Sequence, residues 1–483
     1  MYAQYKETFS FSSFMSKAND LDECVKSSDS EKMIKDIENS LSIFFNSPLP
    51  DDLINQAKNI LLGLRSSSFD FKTFILSFNY IPRIIFLTNS LNFSNENGFE
   101  FENIFPLIEF IDVIISNNSD LINPDILRFC FNFLDTYFKR NKFPNFLDSI
   151  HFLMRIFKNH ICSANMHLFD EHFFSNIGRF AIYDEQLHND IAQVAQRYSV
   201  FVTEISKKYQ YYFEFLKYLI EINNQVTSHI LALTLKNIIK KKPYFDSDEQ
   251  SWAYKAIIDF SASVDYRTQA VSFEICGILD DPKIFKSIML NSKIKSSIKS
   301  IIKQNDLSDI RLIPVVHALS HFLKIDPLNC SKTFIVKDRS NKLAIFFVKY
   351  VCDGPFELKV DAGYLLAESM RLNAFSYIYG ISDDLSFLYL TKIDDLKIAI
   401  LEILEIGNED NHQLLIAILT GLYMVCQECI KLCCVDDIKK IQDELSLSGI
   451  FEKVDDLKAH SDSEIVISLC QNIFDCFEFE KGE

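Results

Sequence analysis

Cys426-x-x-Cys429-x-x-x-Cys433-Cys434 is the segment whose residue types and spacing come nearest to a metal site. Thiolates three and seven residues apart share one face of a helix, and zinc accepts four sulfurs. The run also carries Leu422, Val425, Ile430 and Leu432, an apolar pattern that continues a helix. A tetrahedral site needs its ligands brought together, usually by a turn. The thiols are therefore read as core and interface side chains, with zinc as the alternative. His317 and His321 stand four apart within residues 313–323, another spacing that can hold zinc, but Ala318-Leu319-Ser320 between them supply no glutamate base. His160, His167 and His172 form a looser cluster with Asp170 and Glu171 at an expected corner. No cofactor or metal is expected from these three groups.

Acid–base chemistry has no better foothold. The carboxylate pairs Asp394-Asp395, Asp436-Asp437 and Asp455-Asp456 are adjacent in sequence. On a helix such neighbours point about 100° apart, as on a solvated face. The sequence has no glycine-rich phosphate loop, no Gly-x-Ser-x-Gly elbow and no kinase signature. The expectation is a protein that is not an enzyme.

The composition says what could position binding residues instead. A chain of 483 residues is too long for one compact core, so several domains or a stacked repeat is expected. With 48% hydrophobic residues, burial is not limiting. Gly and Pro number only 11 each, which leaves few tight turns and favours helices joined by short corners. Phe is frequent, at 45 residues against a single Trp, and is read as filling helix interfaces. The net charge of −17 repels phosphate backbones and attracts Lys/Arg-rich partners. A protein or basic peptide partner is expected, with no direct nucleic acid binding; keeping a large Phe-rich protein soluble is the alternative reason for the acidity. No secretory signal opens the chain, and the best apolar run, 104–115, is interrupted by Pro106, Glu109 and Asp112. A cytoplasmic protein without membrane insertion follows, its 12 cysteines reduced. Its oligomeric state is left open.

Along the chain, residues 1–30 form a polar, Ser-rich segment, and 31–483 reads as one continuous helical repeat domain, most regular over 256–477. Ser28-Asp29-Ser30-Glu31 has capping-box spacing before the first apolar positions. Pro82, Pro106, Pro124 and Pro144 each open an apolar segment, as proline does in a first helical turn. Residues 209–242 have one strong helical pattern that stops at Lys240-Lys241-Lys242-Pro243. Corners at 263–265, 305–306, 353–355, 408–411 and 460–463 each precede an apolar helix. The anchors Ala270, Val316, Ala362, Ile416 and Val466 recur roughly 40–55 residues apart, somewhat longer than an armadillo or HEAT unit. Ser461 and Glu464 have capping-box spacing at the last of these starts.

Residues 356–368 resemble the last helix pair of an armadillo repeat, a short acidic corner leading into an Ala-anchored helix. Gly449-Ile450, Leu457, His460, Ile465 and Phe477 resemble the closing repeat of importin-α adaptors. The resemblance covers about residues 343–477 and implies an all-α, right-handed armadillo/HEAT-like superhelix that holds a partner in its concave groove. It further implies an importin-α-like adaptor for basic cargo, shuttling to the nucleus; a chaperone-associated or assembly scaffold that binds a folded partner is the alternative. In that family a ladder of Trp and Asn four residues apart grips the cargo. The corresponding positions here are Ser272 and Cys276, Tyr364 and Glu368, Thr420 and Met424, none of them a Trp–Asn pair. Tyr364 and Glu368 are the pair able to hold a cation, by ring face and carboxylate. Trp252, with Ala256 at the Asn offset, is the third candidate binding residue. The family's Arg-rich N-terminal segment has no counterpart, since residues 1–30 hold only Lys6, Lys17 and Lys26.

Overall fold

The computed structural model describes residues 28–66, 73, 75–76, 78–91, 105–117, 124–139, 147–182, 184–202, 209–222, 225–241, 251–279, 281–304, 306–335, 343–371, 394–409, 411–432 and 435–477. Every regular element among them is helical. Within the span expected as one domain, they cluster as two compact units divided after Thr234.

The first unit contains α1 (Ser28–Asn46), α2 (Pro50–Ser66), α3 (Ile81–Ser90), α4 (Phe105–Asn117), α5 (Pro124–Lys139), α6 (Leu147–His160), α7 (Glu171–Phe180), α8 (Glu185–Ser199) and α9 (Gln210–Glu221). Pro82 lies in the first turn of α3, where its missing N–H costs nothing. Asp170 and Asp184 cap α7 and α8 through the amides of Phe173 and Leu187. Helices pack alternately: α2 on α4, α4 on α6 and α6 on α8, while α3 packs on α5, α5 on α7 and α7 on α9. Consecutive pairs thus recur every two helices. Phenylalanines fill the seams: Phe131 stacks on Phe157 with centroids 4.9 Å apart, and Phe173 meets both edge-on. The expected 209–242 helix is two helices, α9 and α10 (Ser228–Lys241), separated around Ile222. The apolar period continues across the polar Asn223-Asn224-Gln225, so periodicity alone did not mark the break.

In the second unit helix pairs recur, and among the described residues a third helix stands in three of the four intervals between them. Its pairs are α11 (Ser251–Ser261) with α12 (Tyr266–Cys276), α14 (Ser292–Gln304) with α15 (Leu312–Ile325), α17 (Leu343–Asp353) with α18 (Phe356–Arg371), α19 (Asp394–Glu409) with α20 (His412–Leu432), and α22 (Ile450–His460) with α23 (Glu464–Asp475). Between pairs stand α13 (Pro282–Met289), the single turn α16 (Pro327–Cys330) and α21 (Val435–Leu447). Like packs on like: α12, α15, α18, α20 and α23 form one layer, and α11, α14, α17, α19 and α22 the other. α18 and α20 approach closely at Gly421, where an added Cβ would lie 2.8 Å from the Ala367 carbonyl oxygen.

The helix starts fall at the expected corners, and the anchors Ala270, Val316, Ala362 and Val466 are buried. Ile416 is only half-buried, because Leu414, Leu415 and Ile418 turn into the core in its place. Ile465 is exposed, whereas Ile450, Leu457 and Phe477 of the same unit are buried. The cap of α23 is Ser463, which accepts from the Val466 amide. Ser461 instead accepts from the Ser463 amide at 3.2 Å, a turn that delays the helix by two residues. Gly449, with φ 82°, precedes α22 in a left-handed conformation that favours glycine.

Candidate functional site

Tyr364 and Glu368 lie one turn apart on α18, in the layer that packs on α15 and α20. Both are already engaged. The Tyr364 ring carries the ammonium of Lys324, from α15, 4.5 Å from its centroid. Its hydroxyl donates to Asn411 Oδ1 at 2.9 Å, and the same oxygen accepts the Leu414 amide at the start of α20. Burial raises the phenol above its ordinary range, so it remains a neutral donor. Glu368 receives Arg371 in two bonds, Nε to Oε2 at 2.6 Å and Nη2 to Oε1 at 2.7 Å, and Ser331 Oγ at 3.0 Å. One turn before Tyr364, Asp361 Oδ2 is 2.8 Å from His317 Nδ1 of α15. That hydrogen bond raises the imidazole pKa, favouring the charged form.

The exposures of these pairs decide which charge faces outward. Asp361 and Glu368 are 15% and 10% exposed, against 50% and 45% for His317 and Arg371. The carboxylates are thus the covered members. Among the described residues Lys324 has no carboxylate partner, and it is exposed. The residues expected to receive a partner's cation hold the chain's own cations instead.

Trp252 is half-buried on α11, in the other layer, which packs on α12, α13 and α14. It does not join Tyr364 and Glu368. Of the other ladder positions, Ser272 and Cys276 are core; the Ser272 hydroxyl donates to the Gln269 carbonyl. Thr420 likewise turns back to the Ile416 carbonyl, and Met424 is half-buried.

The metal candidates separate. His321 Nε2 lies 3.0 Å from the Leu279 carbonyl oxygen, so it and His317 serve different neighbours. Cys426 is buried on α20, while Cys433 and Cys434 lie outside the described residues. His160 is 3% exposed with neither ring nitrogen bonded within the described residues, and burial pushes its pKa down to about 4. His167 and His172 do share a cavity of about 330 Å³ between α5 and α7, with Arg128, Asn132, Asp135 and Asn176 on its walls and Phe131 and Phe173 among them. His172 Nε2 stands 2.6 Å from Asp135 Oδ1, and Asp170 is spent on capping α7. Its lining includes no serine, cysteine, threonine or lysine nucleophile. No cluster of three or more metal-ligating side chains occurs among the described residues.

What sequence reading missed is a ladder of polar contacts from each repeat to the next. In the first unit Arg65 meets Glu109, Arg155 meets Asp112, His151 meets Asp190, and Lys158 meets Gln193. In the second, Lys236 meets Glu274, Lys293 Asp259, His317 Asp361, Lys359 Glu402, Lys397 Glu444, and His412 Ser463. The partners are 34 to 51 residues apart, one repeat length. A recurrent opposite-charge offset of that size was the available signal. Arg311 is a deeply enclosed cation: it stacks 3.7 Å from the Tyr266 centroid and bonds Asp309, Gln304 and Gln269. Against known proteins the chain matches no family model and no curated sequence.

Proposed function

We propose that this chain is a non-catalytic helical-repeat protein of armadillo type that works as an assembly scaffold, holding a protein partner on the layer formed by α12, α15, α18, α20 and α23. The observation that carries this reading is the recurrence of helix pairs in the second unit, with like helices packed on like. Such stacking presents equivalent side chains from successive helices as one extended surface, the property repeat proteins use to hold partners.

An importin-α-like adaptor for basic cargo would use the same layer. Its cargo would have to displace Lys324 from Tyr364 and Arg371 from Glu368, so the geometry favours the scaffold over that adaptor. The experiment is affinity capture of partners by the wild-type chain and by Lys324→Glu. A partner retained by the first and weakened by the second supports the reading. Partners held equally by both, and released instead by substitutions on α11 or α14, would move the binding surface to the other layer.

A further inference from the structure

Three cations of the second unit are seated on successive turns of one helix. His317 rests on Asp361, Lys324 on the ring of Tyr364, and Arg371 on Glu368. Their seats are three and four residues apart along α18. At 1.5 Å rise per residue they are spaced about 4.5 and 6 Å, spanning roughly 10 Å. Side chains on one face of an extended peptide recur about every 6.6 Å, within reach of long Lys and Arg side chains. The seats also hold the cations in place. Two are hydrogen-bonded to covered carboxylates, and the third stands over an aromatic ring whose hydroxyl is tied to Asn411. Side-chain entropy that a free surface lysine or arginine would lose on binding is therefore partly lost already.

The row has defined ends. Exposed Glu357 lies one turn N-terminal to Asp361 on α18. On α15, exposed Ile313 lies one turn N-terminal to His317. The surface thus offers an apolar contact near the His317 end and outward-facing basic side chains from there to Arg371.

Resting on the scaffold reading above, we propose that this face of α15 and α18 binds an extended acidic peptide segment, its Asp or Glu side chains on alternate positions meeting His317, Lys324 and Arg371 and an apolar side chain meeting Ile313. The overall charge of −17 sets the balance against a nucleic acid, whose continuous phosphate charge the rest of the molecule repels over a longer stretch. A short acidic segment meets mainly the local row, because other charges are screened beyond a Debye length of about 8–10 Å.

The test is fluorescence polarisation with the 483-residue chain and four labelled probes. These are a peptide of alternating Glu and Ser with a terminal Leu, its Lys counterpart, a neutral Ser-Gly peptide and a single-stranded oligonucleotide. Lys324→Glu is the principal variant, since Lys324 has no buried carboxylate to strand; Arg371→Gln is the second. Thermal melts of both check that they fold. The proposal expects binding of the acidic peptide that weakens as salt is raised and falls about tenfold in Lys324→Glu with an unchanged melt. It is overturned if the acidic peptide does not bind, or binds both variants as tightly as it binds the wild type. It is also overturned if the Lys peptide or the oligonucleotide is preferred. Lys-peptide or neutral-peptide binding that the Lys324 substitution alters would leave the scaffold reading standing with a different partner chemistry. A captured protein partner indifferent to this layer would remove the scaffold reading itself.

Discussion

At the scale of single residues, the chemistry turns on what already occupies each group. Tyr364 and Glu368 were legible as a cation-holding pair, because an aromatic ring and a carboxylate one helical turn apart can receive a positive charge. What the sequence did not disclose is that the charges come from Lys324 and Arg371. Lys324 is remote in sequence and reaches Tyr364 only when α15 packs on α18. Arg371 is near in sequence, but its i,i+3 pairing with Glu368 is one of several that a helix permits. The sign of the surface therefore depends on tertiary packing that no local pattern carries. His160 illustrates the opposite outcome for a titratable group. Its imidazole is enclosed by the first unit and unbonded within the described residues, and desolvation alone lowers its pKa from 6.5 to about 4. As pH falls below 6.5 the unfolded chain takes up the proton first, so stability from this site is present above 6.5 and drains toward pH 4. The loss amounts to about 3 kcal/mol. Denaturant unfolding of wild type and His160→Leu across this range checks it. The wild type should lose stability relative to the variant by that amount as the pH is lowered.

At the scale of elements, the positions of the helices were more legible than their packing. Proline-led starts and polar corners marked α3, α4, α5, α12, α15, α18, α20 and α23, because proline and capping side chains act within one turn. The break between α9 and α10 was missed because apolar spacing carries across it. The cap of α23 was displaced because two serines at the same corner can each accept an amide, and turn geometry decides between them. Close approach was equally hidden. Gly421 reads as a weak helix residue, yet the Ala367 carbonyl oxygen of α18 lies 2.8 Å from where its Cβ would be, and Met370 Cβ is 3.0 Å from that point. Gly→Ala inside a helix normally gains up to about 1 kcal/mol. Here overpacking against backbone costs about 1–3 kcal/mol, so Gly421→Ala should be net destabilising by up to about 2 kcal/mol. Chemical denaturation measures it; a gain in stability would mean that α18 and α20 separate easily. Arg311 belongs to this scale as well, joining α12, the end of α14 and the start of α15 through Gln269, Gln304 and Asp309.

At the scale of the whole molecule, two recurrences share one chain: two helices per step in the first unit, and in the second helix pairs with a third helix in three of the four intervals among the described residues. The recurring anchors of the second half were visible in the sequence. The two-helix recurrence was not, since its proline-led starts lacked a common anchor. Helices of alternate layers need no sequence likeness to stack; they need only complementary apolar faces, which Phe-rich interfaces supply in many arrangements. No helix of the described residues is long and apolar enough to cross a membrane. The repeat, its polar ladder and the covered carboxylates on α18 together support a surface that holds a partner. Hydrogen–deuterium exchange of the chain alone and with its captured partner tests that claim most directly. The account predicts slowed exchange concentrated in α15 and α18, extending to α12 and α20, with α11, α14 and α17 unchanged. Protection confined to α11, α14, α17 and α19, with α15 and α18 unaltered, would contradict it.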